Sequence, residues 1–171
     1  INTGIYEPLK VKHTVSPSMD IQIASNFERL VFDVCSCDSN KTLKLMNDLS
    51  ERGKFKLSEE ELKKIKGSFY SESLSEEETK SVIKEVHKNQ EILVDPHTAV
   101  AIGAVNKISL EGNTVILATA HPSKFSDVVM KETGIRPELP ENLKNILDKK
   151  EKYKKLPEDI KKIQNYILER V

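Results

Sequence analysis

"NTVILATAHPSKF", residues 113–125, sets the apolar run Val115 to Ala118 directly against Thr119, Ala120, His121 and Pro122. A short apolar run bounded by turn residues reads as a strand over 114–119 that is apolar on both faces. Strand ends in α/β folds commonly hold ligands, so a hydroxyl, an imidazole and a proline here mark a candidate ligand edge near Thr119. Such a strand needs partners on both sides. The rest of the sequence offers one weak strand signal, Ser68-Phe69-Tyr70-Ser71, and a lone strong strand is not a sheet. Either the protein is nearly all helical or the partner strands lie in other chain. The start at Ile1 rather than Met fits the second option and raises the expectation that upstream sequence is missing.

Composition narrows the function classes. The 171 residues suffice for one domain with a sizeable core. Lys+Arg and Asp+Glu both number 27, so no net field favours a nucleic acid or an anionic membrane as partner. No apolar run reaches membrane-spanning length and no signal peptide is visible, which leads to an expected cytoplasmic location. The cysteines, Cys35 and Cys37, form a single C-x-C pair, too little for a disulfide framework or a zinc site. They read as reduced, partly buried thiols.

Helix signals dominate the remainder. Ser25-Asn26-Phe27-Glu28 has the form of a capping box, followed by Phe27, Leu30, Val31 and Val34 on one apolar face, with Asn26, Arg29 and Asp33 on the other. A second helix is expected over about 40–52, ending near Gly53. Capping boxes recur at Ser58–Glu61 and Ser75–Glu78, and Asp95-Pro96 reads as N-cap and first helical position. The helix behind it, expected over Ala99–Ile108, is rich in small residues that permit close packing. Gly112-Asn113 turns the chain into 114–119, and Ser126–Lys131 reads as a helix closed by Gly134. Beyond Pro137 come a helix bearing Leu143, Ile146 and Leu147, the solvated run "DKKEKYKK" (148–155), and a last helix with Ile160, Ile163 and Ile167. These residues, 136–171, form a C-terminal helical tail behind a first region, 1–135.

Catalytic signatures are sparse. His87 reads as a surface residue, His13 has no evident partner, and His97 and His121 each sit beside a proline at a helix or turn start. No cluster has metal-ligand spacing, and G-x-S-x-G, G-x-G-x-x-G and P-loop patterns are all missing.

Three stretches in order carry more: "SPSMDIQIASNFERL" (16–30), "DPHTAVA" (95–101) and "ATAHPSKF" (118–125). Together they resemble the C-terminal part of threonine synthase, a pyridoxal-phosphate enzyme of the fold-type II group that converts phosphohomoserine and water to threonine and phosphate. The resemblance implies an α/β parent whose larger, cofactor-binding domain is partly supplied by residues 1–135, with few strands in this chain itself. It implies that Thr119 matches the hydroxyl that bonds the cofactor's pyridine nitrogen, with Ala120 and His121 beside it. Asn26 and Arg29 would face substrate; an Arg29–Asp33 pair on a solvated helix face is the plain alternative. The family's Schiff-base lysine in Ser-Phe-Lys-Asp and its Gly-Asn-Phe-Gly-Asn phosphate loop have no counterpart here. The implied reading is therefore the C-terminal part of a lyase, inactive and without pyridoxal phosphate when alone, whose partner is the missing N-terminal part and which could self-associate through 115–118. A stand-alone, non-catalytic remnant or interaction module is the other reading.

Overall fold

The computed structural model describes residues 1–108 and 110–171, and its chain divides into two compact units, Ile1–Glu138 and Leu139–Val171. The first holds a two-stranded antiparallel sheet and six α-helices. Strand β1 (Ile5–Tyr6) pairs with β2 (Phe55–Lys56) in the register Ile5 to Lys56 and Tyr6 to Phe55. The helices are α1 (Phe27–Val34), α2 (Ser39–Arg52), α3 (Glu59–Lys66), α4 (Glu76–Gln90), α5 (Pro96–Lys107) and α6 (Ser126–Thr133). The second unit contains one α-helix, α7 (Ile160–Leu168), and a 3-10 turn at Glu141–Leu143.

Two apolar clusters build the first unit. In one, Val31 and Val34 of α1 pack with Phe55, Leu57 and Ile65. Tyr6 stacks between Phe27 and Phe55, with ring centroids 5.2 and 5.3 Å away. Its hydroxyl donates to the Gln22 carbonyl and accepts from the Ala24 N–H, both at 2.9 Å, which fixes the approach to α1. In the other cluster, Ile83 and Val86 of α4 meet Val94 and Ala99. Gly103 of α5 lets Leu74 approach closely: a Cβ there would lie 2.1 Å from a Leu74 methyl, so any larger residue would have to displace that side chain.

Local chemistry explains most helix ends. Ser58 and Ser75 form full capping boxes with Glu61 and Glu78. Asp95 caps α5 with Pro96 at its first position. Gly53 and Gly134 close α2 and α6 in the left-handed conformation.

Buried Glu61, 3% exposed, does more than cap α3. Its carboxylate accepts from the Ser58 N–H at 2.7 Å and from the Cys35 thiol at 3.3 Å, and it pairs with the Lys41 ammonium. Burial pushes the carboxyl up, but Lys41, Ser58 and Cys35 together lower it to about 2. Burial and then Glu61 push the Cys35 thiol up, so this buried cysteine stays a thiol; both cysteines are free, and Cys37 is exposed.

Several expectations are corrected. Residues 114–119 form no strand: the segment pairs with nothing among the described residues, and Val115 and Leu117 are 84% and 75% exposed. Strand-forming composition cannot substitute for a neighbouring edge to supply the ladder. Ser68–Ser71 is likewise not a strand. The capping box at Ser25 does not form, because Asn26 already has helical dihedrals and takes the N-cap place without a side-chain bond. Instead of a helix around Leu143–Leu147 there is only the Glu141–Leu143 turn, with Leu147 exposed. His87 is half-buried rather than a surface residue, and its Nδ1 is buried with no partner among the described residues.

Candidate functional site

The residues singled out by sequence fall in two places. Asn26 and Arg29 stand at the start of α1, where Ser25, Glu28, Arg29 and Phe32 face Ser39, Thr42 and Leu43 of α2 across a groove of about 480 Å³. The Arg29 side chain makes no hydrogen bond or ion pair among the described residues, so the pair with Asp33 is not formed. An exposed guanidinium at the mouth of a largely apolar groove can hold an anionic group bidentately.

Thr119, Ala120 and His121 lie at the end of the unpaired run. The Thr119 hydroxyl is exposed and has no hydrogen-bond partner among the described residues, so the ordinary strand-end arrangement, a hydroxyl bonded to nearby backbone, is not present. His121 caps the following 3-10 turn, Pro122–Phe125, its Nδ1 accepting from the Ser123 N–H at 3.2 Å and lying 2.7 Å from the Ser123 hydroxyl. Accepting at Nδ1 leaves Nε2 as the protonated nitrogen of the neutral ring. Thr119, Ala120 and His121 do not line the groove beside Arg29, and among the described residues no hydrogen bond joins them to Asn26 or Arg29.

The centre that sequence reading missed is His97. At 5% exposure it sits at the second position of α5, its Nδ1 2.9 Å from Asp95 Oδ1 and its Nε2 accepting from the Ser18 N–H at 3.2 Å. Its ring packs on Phe125 at 4.8 Å between centroids. One imidazole thus touches all three motif stretches. The Asp-x-His spacing behind an N-cap was the one local signal available, because it returns the ring to the capping carboxylate.

A family model described as "Threonine synthase, C-terminal" matches residues 98–167. The chain resembles the threonine synthase of Pseudomonas aeruginosa, 33% identical over 165 residues, which span 95% of this chain and 35% of that protein. The chain matches the C-terminal part of threonine synthase. Solved structures agree. Pyridoxal-phosphate-bound threonine synthase from Brucella melitensis superposes with a TM-score of 0.85 at 37% identity, covering 97% of this chain and 36% of that one. The yeast threonine synthase gives 0.79 at 32% identity, covering 98% and 38%. The chain therefore spans little more than a third of the length of the threonine synthases it matches. The helix-rich α/β architecture, with only two short strands among the described residues, is that of the C-terminal part of those structures.

Among the described residues no helix is long and apolar enough to cross a membrane, and no group of His, Cys, Asp and Glu could hold a metal ion.

Proposed function

We propose that this chain acts as the C-terminal part of a threonine synthase, turning phosphohomoserine and water into threonine and phosphate with pyridoxal phosphate, once a polypeptide supplies the upstream part. The observation that carries the reading is the free Thr119 hydroxyl at the end of an apolar run that lacks partner strands. The run 115–118 is the surface on which the upstream part docks, with residues 1–135 completing the cofactor-binding domain and 136–171 serving as a helical tail.

The residues present fit one edge of pyridoxal phosphate and not the whole of it. When bound, that group withdraws electrons from the carbon skeleton of the substrate. Thr119 would hold the ring nitrogen by a hydrogen bond from its hydroxyl, Ala120 would line the same edge, and His121 would fix the turn that follows. A neutral hydroxyl leaves the ring nitrogen uncharged, where an aspartate would keep it protonated. Arg29 and Asn26 orient the phosphorylated substrate. The sequence holds no Ser-Phe-Lys-Asp lysine and no Gly-Asn-Phe-Gly-Asn loop, so the chain alone keeps no cofactor and turns over no substrate. That same lack of groups favours the second reading, a stand-alone remnant or interaction module without chemistry.

Arg29→Gln in the assembled enzyme is the test of the substrate side. The expected result is a rise of about tenfold in KM for phosphohomoserine, the loss of one charge-assisted contact, with unchanged thermal stability because the side chain is unpaired. If KM and kcat both stay at the wild-type values, Arg29 is outside the site.

A further inference from the structure

The segment Thr14–Asp20 is a tight loop far in sequence from everything it is fastened to. The Thr14 N–H and hydroxyl donate to the two oxygens of Asp20 at 2.9 and 2.7 Å, and these bonds hold the Asp20 carboxyl below its ordinary range. The Val15 N–H donates to Glu76 of α4 at 3.1 Å. The Ser18 N–H donates to His97. An amide N–H can only donate, so His97 Nε2 must present a lone pair, and the ring proton sits on Nδ1 toward Asp95. Asp95 is fully buried and is committed as well to the N–H groups of His97 and Thr98 and to the Thr98 hydroxyl. The tautomer is thereby set from both sides.

We infer that His97 is a positioning residue, a neutral imidazole that latches the Thr14–Asp20 loop to the start of α5 and to the Pro122–Phe125 turn, and that it releases the loop when Nε2 takes a proton. The proton comes from solvent and turns an acceptor into a donor that faces the donor N–H of Ser18. Nothing else need change, because Asp95 still balances the imidazolium at Nδ1 and α5 keeps its cap. The charged and titratable groups on the surrounding elements are Asp95 on α5, Asp20 in the loop with His13 beside it, Glu76 on α4, and His121 and Lys124 on the turn that carries Phe125. Asp20 senses the charge on both His97 and His13. The Lys124 ammonium lies 5.7 Å from the centroid of the Phe125 ring that packs on His97. The latch is independent of the proposed catalytic reading, since every contact that builds it lies within this chain.

The test uses the chain itself. The ¹⁵N shifts of the His97 ring and the protection factor of the Ser18 amide are followed by NMR through the titration of His97. The expected results are a pyridine-like Nε2 at neutral pH and a protection factor for Ser18 that falls about tenfold in step with protonation, as the loss of one hydrogen bond implies. The amides of Ile83 and Val86 should keep their protection throughout. His97→Phe, which keeps a ring but offers the Ser18 N–H no acceptor, should show the low Ser18 value at every pH, with no step. A protonated Nε2 at neutral pH, or Ser18 protection that ignores the titration in the wild-type chain, overturns the inference whether or not the variant folds.

Discussion

Glu61→Gln is expected to destabilise the first unit by about 3 kcal/mol at neutral pH and to flatten its acid unfolding profile. The carboxylate is lowered to about 2 in the folded chain from its ordinary 4.5. A depression of that size corresponds to about 3 kcal/mol of differential stability. Because the folded value is the lower one, this stability is fully present above pH about 4.5 and is lost as pH falls toward about 2. The amide of glutamine is still able to accept from the Ser58 N–H, but it carries no charge for Lys41 and points a donor into a buried site. Asp20, Glu76 and Glu78 are lowered too and give the wild type a background loss of the same sign. The difference between the two denaturation curves, measured at pH 7 and pH 3, isolates Glu61. Equal midpoints at both pH values would show that the carboxylate contributes nothing through its charge.

Thr119→Val in the assembled enzyme is expected to lower turnover by about 30-fold, roughly the worth of one well-placed hydrogen bond to the reacting system. The substitution keeps the shape of the side chain and removes its only polar atom. Since Thr119 is exposed and bonded to nothing among the described residues, the fold has no reason to weaken. The absorbance of the bound cofactor should shift with turnover while the melting temperature stays fixed. An unchanged spectrum with unchanged turnover would take Thr119 out of the site.

The features legible in the sequence were those whose causes are local. Ser58, Ser75 and Asp95 announce helix starts because each satisfies its free N–H groups within three residues, and Gly53 and Gly134 announce ends because a left-handed residue is needed there. Ser25 carried the same signal and failed, since Asn26 already has helical dihedrals and takes the N-cap place without a side-chain bond. What depends on distant chain was illegible. The pairing of Ile5–Tyr6 with Phe55–Lys56 involves two residues on each side, too few to show alternation. The run at 114–119 has strand composition, yet the edges it needs are not among the described residues. Helical periodicity around Leu143–Leu147 found no surface to bury against within its own unit, and periodicity without burial seldom makes a stable helix. The site shows the same division. Thr119 and Arg29 remain proposals that rest on their motifs, whereas the contact of His97 with Ser18, 79 positions away in the chain, has no local signal in the sequence.

The most direct measurement of the central claim is the visible absorbance of the purified chain after mixing with pyridoxal phosphate and exhaustive dialysis. On the proposed reading Thr119 and His121 would offer the ring one edge, and the sequence holds neither the lysine motif nor the phosphate loop of the family. The account predicts no stoichiometric band from the chain alone. A one-to-one band that survives dialysis would contradict it.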